Sequence, residues 1–463
     1  MFKINRRSVL KTTAAAMAVG GLPSVSRAQS AFTPPFYTPE DLKGQLTPFG
    51  AIKAGNADGT IPAWAGGGCP MPSGYQQGDV RPIPFADEQP LFTITASNMS
   101  QYSNKISIGL QGIFQKYPDF TMEVFPTHRT AIAPQYVYDY MYENATNAQL
   151  SADGNSVSNA YGGLPFPIPQ NGHEVMWNHL VSWNGVSVYS VSVAYVVTAS
   201  GQLVFESRVN SYVQFPYYMP NGKDNWDGLY SQEFIFPVAP PYEAGGSIVK
   251  LQPVDLTKVD VSAWEYLVGQ RRVRRAPELQ YDTPNSIAGG VSNWDETFMF
   301  EGKLVEYNFT YTGIKEMYVP YNANKILQAS PTDQYKSHFL NPELVRWELH
   351  RVRVVEMTLK PGARNVDARR TMYFDEDTGS AVLGEIYDGS GALWKVMHNL
   401  PGIFGDVPAI VTAGSFIIYD LHAGTYFGGA MFDSSCTPNW KTIAPLPDTF
   451  FSPGHLAAAS VGY

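Results

Sequence analysis

The sequence is poor in the features that most often announce a chemical activity. Its 463 residues include two cysteines, and charged residues make up 16% of the chain, compared with roughly 25% in an average domain. It has no Gly-x-Ser-x-Gly elbow and no glycine-rich phosphate loop. No segment approaches the run of about eighteen apolar residues that a membrane-spanning helix needs, so we expect a soluble mature protein.

The first 28 residues have the pattern of a cleavable export signal. Arg6 and Arg7 form its basic region, Ala14 to Leu22 its apolar region, and Ser26-Arg27-Ala28 its cleavage site. The run from Asn5 to Lys11 resembles a twin-arginine signal, and an ordinary secretory signal is the alternative. Either route predicts a periplasmic protein.

Cleavage of this signal makes an acidic protein more acidic. The formal net charge of the chain is −9. Residues 1–28 contain five basic residues and no acidic ones, so their removal leaves −14 (−9 minus 5). Nucleic-acid binding depends on neutralising phosphates, and the acidic surface therefore argues against it.

The two cysteines, Cys69 and Cys436, lie near opposite ends of the mature chain. An oxidising compartment permits a disulfide, and closing so long a loop could contribute up to about 5 kcal/mol in the chain-entropy model. Free thiols are the alternative, because a protein that folds before twin-arginine export would form the bond late. Pairing is the preferred interpretation.

The composition favours β-structure. The chain has 28 tyrosines and 25 phenylalanines together with 41 glycines and 35 prolines, which indicates short aromatic strands separated by turns. We divide it into the signal peptide at 1–28, a Pro/Gly-rich wrapping segment at 29–95, a main domain with helical insertions at 96–445 and a C-terminal tail at 446–463.

Periodicity predicts two helices and about ten strands. One helix is expected from Met99 to Tyr117, capped by Ser97 or Asn98, and another within Pro134 to Leu150. Strands are expected where apolar residues alternate, at 186–198, 203–215, 298–300, 305–312, 344–359, 372–374, 382–387 and 393–397.

Short turns between these strands require antiparallel pairing. The predicted class is therefore α+β, with a strongly curved antiparallel sheet, an incomplete β-barrel, wrapped over helices. In the strand at 344–359, either a bulge shifts the register or Arg351 and Arg353 point inward.

Candidate sites for chemistry are weak. His173 and Glu174 resemble the start of a zinc motif, but His179 is two positions too far along. Asp375 to Gly379 could bind calcium, although a hairpin turn is the preferred interpretation, and the same holds for Gly55 to Thr60. His128 with Arg129 could hold an anion or be a buried histidine. We expect no catalytic residues, no metal and no cofactor.

Four arginines stand close together in this acidic chain. In an extended strand, neighbouring residues face opposite ways, so some of the four must lie against the concave face of the sheet or its rim. Guanidinium groups there would suit a carboxylate or phosphate head group, and pairing with the abundant acidic residues is the alternative. The four are Arg271, Arg272, Arg274 and Arg275.

Several motifs together resemble the proteobacterial domain-of-unknown-function family numbered 1329. The resemblance spans about residues 40 to 445. The motifs are 46–51, 54–64, 126–130, 163–167, 270–277, 281–284 and 346–352.

This resemblance implies a fold like that of LolA and LolB, the periplasmic lipoprotein carriers, and hence a LolA-like half-barrel at 96–445. It implies transport of a lipid or other hydrophobic molecule in outer-membrane biogenesis, without catalysis. The implied partners are an exporter of the resistance-nodulation-division type and an outer-membrane protein.

For such a carrier we expect an apolar lining and a polar rim. Each aromatic could instead be ordinary core. The expected lining is Phe298, Phe300, Tyr307, Phe309, Tyr311, Trp347 and Trp394, and the expected head-group or rim residues are Arg271, Arg272, Arg274, Arg275, Arg351 and Arg353.

Two other functions stay open at this point. A structural adaptor of an envelope transport complex would have an exposed apolar patch and no cavity. An envelope hydrolase would need His128, Asp375 or the pair His173 and His179 together in one cleft. The sequence leaves the ligand, the direction of transfer, the oligomeric state and the partners undetermined.

Overall fold

The computed structural model describes Phe32 and residues 35–256, 258–259, 261–276, 281–437 and 439–460. The predicted signal at 1–28, with Arg6 and Arg7, lies outside the described residues, as do Pro277 and the end of the predicted tail, 461–463. None of the helices in these described ranges combines the length and apolar character needed to cross a membrane.

Strands dominate the described ranges. The α-helices are α1 Ile108–Lys116, α2 Gln135–Asn147, α3 Gly172–Leu180, α4 Pro331–Gln334 and α5 Pro453–Ser460. The first ten strands are β1 Phe92–Thr95, β2 Thr121–Val124, β3 Gln149–Leu150, β4 Val157–Ser158, β5 Ser187–Val197, β6 Leu203–Gln214, β7 Leu229–Ala239, β8 Ile248–Pro253, β9 Ser262–Leu267 and β10 Arg272–Arg275. The others are β11 Tyr307–Pro320, β12 Trp347–Leu359, β13 Arg369–Asp375, β14 Ala381–Tyr387, β15 Leu393–Asn399, β16 Gly402–Phe404, β17 Ala409–Val411, β18 Phe416–Asp420, β19 Thr425–Met431 and β20 Trp440–Thr442.

One sheet of sixteen strands organises the molecule. Its strand order is β1-β2-β12-β13-β14-β15-β18-β19-β5-β6-β7-β8-β9-β10, with β11 also on β12 and β20 also on β5. Its pairs are antiparallel apart from the parallel contact between β2 and β12. The ends of this path, β1 and β10, do not pair with each other in the described ranges. The predicted open, curved antiparallel sheet is confirmed.

Two meanders meet at β5. β12 to β15 form the first and β5 to β10 the second, and β19 joins them by pairing with the later half of β5 at Val193 to Val197. β20 pairs with its earlier half at Val188 to Ser190. β5 is therefore central, as its nearly continuous apolar sequence indicates.

Helices pack against the first meander, as predicted. In α1, Leu110, Ile113 and Phe114 are buried against β14 and β15. The predicted helix from Met99 to Tyr117 is shorter in the structure, because Ser107 begins a new helix by accepting a hydrogen bond from the Leu110 amide at 3.1 Å. The second predicted helix is α2.

The predicted hairpin around Phe298 and Phe300 is wrong. Residues Trp294–Met299 form 3-10 turns separated by a kink at Thr297 and Phe298, and β11 begins only at Tyr307. The aromatic alternation is misleading here, because the neighbouring Asp295 and Glu296 are buried and bind cations across the fold.

Buried arginines bind the N-terminal segment to the sheet. Arg353 donates to the Gly50 carbonyl at 2.6 Å, and Arg351 donates to the Ala54 carbonyl at 3.0 Å. Arg129 binds both oxygens of Asp377, at 2.7 and 2.8 Å. Both Arg351 and Arg353 therefore point inward, which was one of the two alternatives for this strand.

We expect Arg353→Met to loosen this segment. The change leaves the Gly50 carbonyl without its donor and removes a cation that faces the buried Glu376. Unpairing a buried charge costs about 3–5 kcal/mol. Urea unfolding should show a loss of that order, and limited proteolysis should cut faster near residues 50–64. Arg364→Met, at an exposed position, is the control; equal losses in the two variants would contradict the assignment.

Candidate ligand cavity

The second meander presents small side chains on its inner face. Side chains alternate along a strand, and paired residues lie side by side, so one row crosses the sheet. The central row is Ser190, Ser211, Ile235, Ile248, Glu265 and Arg274. Next to this row, β6 contributes Val209 and Ser207, and β5 contributes their paired residues Ser192 and Ala194.

The outer face of the same strands carries large rings. The Tyr212 ring lies 5.0 Å from Tyr189 and 5.0 Å from Phe450, and the Phe234 ring lies 5.4 Å from Phe450. Leu456 of α5 completes this separate core. The large side chains of these strands therefore lie on the outer face, and the inner face has space for a cavity.

A segment from the middle of the chain covers the inner face. Residues 285–301, here called the cover segment, contact β5, β6, β14, β15 and β18. Arg370 donates to Asp295 at 2.6 Å, and Lys395 donates to Glu296 at 2.5 Å. Burial raises the pKa of Glu296, and the ammonium of Lys395 opposes this shift. The cover segment is therefore held by ion pairs to the first meander.

A cavity of about 290 Å³ lies between the cover segment and the second meander. Its surface is mostly apolar, and its volume is at the lower end of the roughly 300–1,000 Å³ typical of small-molecule sites. From Ser207 to Val213 the lining follows β6 over seven residues, whose six steps of about 3.4 Å span about 20 Å. The space is therefore long enough for an elongated molecule.

Charged residues line one end of the cavity. Lys250 forms an ion pair with Glu301, which also accepts from Gln252 at 2.6 Å. Glu233 has a serine neighbour, Ser231, whose hydroxyl lies 3.3 Å away. Glu233 is half-buried, and its accessible part faces the cavity. Desolvation and the charge of Glu301 raise the pKa of Glu233 to about 7, although Lys250 opposes the shift.

The other titratable groups at this end are neutral. The Nε2–H of His179 donates to the Phe300 carbonyl at 3.1 Å, and its Nδ1 accepts from the Ala381 amide at 3.2 Å. Burial lowers its pKa to about 4. Burial raises the pKa of Tyr230 far above its usual range, so its hydroxyl stays protonated.

The predicted lining aromatics separate into two groups. Phe298 and Phe300, both in the cover segment, line the cavity. Phe298 has a left-handed backbone (φ 49°), and its ring lies 5.6 Å from Phe416. Outside the lining, in the first meander and β11, are Tyr307, Phe309 and Trp347, which are buried in the main core, and Tyr311 and Trp394, which are half-buried.

The predicted rim arginines also separate. Arg351 and Arg353 bind the N-terminal segment and do not line the cavity. Arg274 lies on the inner face of β10 and binds Glu265, a lining residue, at 3.0 Å. Arg271, Arg272 and Arg275 are exposed at this edge of the sheet.

The preferred disulfide is not formed. Cys69 and Cys436 are free cysteines, and the Cys436 thiol is directed at the Met431 carbonyl, 3.8 Å away. Burial raises the pKa of Cys436 to about 12, which disfavours the thiolate needed for disulfide exchange.

The other candidate residues occupy separate surroundings. His128 lies 2.7 Å from Glu88 and stacks on Phe85, while His173 contacts the Phe309 ring. The residues from Asp375 to Gly379 form a buried turn between β13 and β14, as preferred from the sequence.

Two buried groups, His350 with Asp375 and Asp377, and Asp295 with Glu296 and Asp367, have atoms close enough to share a metal. Protein donors already occupy much of both. Tyr321 and Thr378 bind Asp375, and Arg129 binds Asp377. Arg370 and Lys395 bind the second group. These contacts fit a structural role in holding segments together.

We expect Glu233→Gln to stabilise the protein at alkaline pH. A carboxyl pKa raised from about 4.3 in the unfolded chain to about 7 makes the group increasingly destabilising as the pH rises through that window. Because Glu233 is half-buried, the gain should be about 1–3 kcal/mol at pH 8 and near zero at pH 4 or below. Urea unfolding measures this. The exposed Glu343→Gln is the control, and a gain that is equal at both pH values would refute the environment of Glu233.

Comparisons with known proteins agree with the sequence motifs. The model of the family described as a protein of unknown function (DUF1329) matches residues 93–457, so the motifs at 46–64 lie before the match. Uncharacterized protein PA3922 of Pseudomonas aeruginosa is 39% identical over 402 residues, which cover 84% of this chain and 86% of the relative.

Solved structures align over a little more than half of the chain. A DUF1329 family protein from Desulfovibrio piger aligns with a TM-score of 0.38 and 16% identity, over 59% of this chain and 92% of that chain. A LolA superfamily protein from Nitrosomonas europaea aligns with a TM-score of 0.36 and 10% identity, over 62% of this chain and 100% of that chain. The family match, which covers most of the sequence, confirms the resemblance: the chain belongs to the DUF1329 family.

Proposed function

We propose that this protein is a periplasmic carrier or acceptor of a hydrophobic, lipid-like ligand, without catalytic activity. The observation that carries the proposal is the elongated, mostly apolar cavity between the cover segment and the second meander. The export pattern at 1–28 supports the periplasmic location.

Burial of a hydrocarbon chain supplies the driving force. Each buried methylene contributes about 0.8 kcal/mol, so a chain of about 14 carbons gains roughly 10 kcal/mol before ordering costs. A lining that extends about 20 Å along β6 suits such an extended chain better than a compact solute.

The cavity opens toward the loop between β7 and β8. Pro237, Glu243 and Ile248 line this end and are half-buried, whereas Tyr230 and Gln252 at the other end are buried. A ligand would therefore enter beside that loop.

Exposed apolar side chains surround this entrance. Tyr242 is 75% exposed, and Val268, which lies close to Gly246, is 40% exposed. Such residues suit contact with a membrane or with a protein that hands over the ligand. The expected partners, suggested by the family resemblance, are an exporter of the resistance-nodulation-division type and an outer-membrane protein.

The two alternatives have less support. A non-carrying adaptor requires no cavity, so the space under the cover segment favours a carrier. A hydrolase requires its histidines and acids in one cleft. His179 lines the cavity, but its candidate partners His128, His173 and Asp375 have different neighbours and lie outside the lining.

Ser211→Trp tests the carrier proposal. Ser211 lies in the central row of the inner face, so an indole there would fill the cavity. We expect organic extraction and mass spectrometry to recover a lipid from the wild-type protein and much less from the variant. We expect the affinity of the variant for the fluorescent apolar probe N-phenyl-1-naphthylamine to be about tenfold lower or more. This factor corresponds to losing the burial of roughly two methylenes or more.

Ser200→Trp is the matched control, because Ser200 is exposed in the turn between β5 and β6. It should leave the ligand content and the probe affinity unchanged. A wild-type protein with neither extractable lipid nor probe binding would refute the carrier function. Probe binding that is unaffected by Ser211→Trp would show that another part of the molecule takes up the probe.

A further inference from the structure

The charges that line the cavity are mainly negative. Among its described lining residues, Glu233, Glu243, Glu265 and Glu301 carry carboxylates, and Lys250 carries the only ammonium. Aspartate and arginine do not occur in this lining. A ligand that enters the cavity therefore meets an acidic environment inside an apolar one.

The cations nearby are already engaged. Lys250 pairs with Glu301, and Arg274 binds Glu265 at 3.0 Å from the inner face of β10. Glu233 faces Lys250 across the sheet pairing, but Lys250 makes its ion pair with Glu301. What remains for Glu233 is a weak contact with the Ser231 hydroxyl at 3.3 Å.

A second polar group in the lining lacks a partner. The Ser207 side chain is fully buried, and its hydroxyl makes no hydrogen bond with the part of the chain that the structure describes. A buried hydroxyl without a partner is unfavourable. Because a hydroxyl both donates and accepts, Ser207 does not discriminate between head groups, and Glu233 does.

From this arrangement we infer the chemical class of the ligand, an inference that rests on the proposed carrier function. The ligand is an amphiphile whose polar end donates hydrogen bonds, a hydroxyl or an ammonium, to Glu233. A carboxylate or phosphate head group would instead face Glu233 and Glu301 with no free cation among the described lining residues. This differs from the anionic head group that the arginine-rich run suggested.

The protonation of Glu233 should tune this preference. The other groups around it are Lys250, Glu301 and the protonated Tyr230, with the neutral His179 behind them and Glu243, Glu265 and Arg274 toward the entrance. Since burial raises the pKa of Glu233 to about 7, it is ionised at pH 8 and mostly neutral at pH 5.5. An ammonium should therefore bind best at the higher pH.

Three probes with the same twelve-carbon chain test the inference. Dodecylamine, dodecan-1-ol and dodecanoate are titrated against the full mature protein, each measured by displacement of N-phenyl-1-naphthylamine. At pH 8 we expect the amine to bind at least about tenfold more tightly than dodecanoate, because hydrogen bonds to charged groups discriminate strongly. The ratio of amine to alcohol affinity should fall about threefold or more at pH 5.5.

Glu233→Gln should abolish the pH dependence of that ratio, and Glu343→Gln should behave as wild type. Dodecanoate binding as tightly as the amine at pH 8, or an unchanged preference in Glu233→Gln, would overturn the inference and leave the carrier function standing. Failure of the naphthylamine probe itself to bind would overturn both.

Discussion

The cavity depends on two buried ion pairs that fix the cover segment. Asp295 binds Arg370 and Glu296 binds Lys395, and all four side chains are almost completely buried. Buried ion pairs gain little net stability, but they are sensitive to geometry, because a displaced partner leaves a charge without compensation. An apolar contact would let the cover segment move closer to the sheet and close the cavity. The ion pairs instead fix the distance between the cover segment and the sheet.

The strands of the second meander complement that arrangement, because their two faces carry side chains of different size. Serine, alanine and valine of β5 and β6 face the cover segment, whereas tyrosine, phenylalanine and tryptophan of the outer face pack against the C-terminal residues. The first meander behaves differently, since both of its faces are buried in the main core. One continuous sheet thus has a densely packed half and a half that encloses a cavity, with β5 at the boundary.

Local patterns predicted the parts of this fold that depend on neighbouring residues. The hairpin of β5 and β6, the meander of β13 to β15 and helix α2 follow from periodicity and short turns. The inner face was missed because Glu233 and Lys250 look like solvent-facing positions, and because Ser231, Gln232 and Glu233 interrupt any alternation in β7. Glu301, the partner of Lys250, is 51 residues away. Arg351 and Arg353 bind backbone carbonyls, an acceptor type that sequence patterns do not reveal.

The ring-bearing outer face has a practical consequence for handling the protein. Phe450, Phe451 and Leu456 shield Tyr212 and Phe234 from water, so the described C-terminal residues 446–459 are structural. A truncation before Phe450 would present a strip of aromatic rings beside the edge strand β10, a combination that invites aggregation. Purification tags are therefore better placed after a spacer that leaves α5 seated against the sheet.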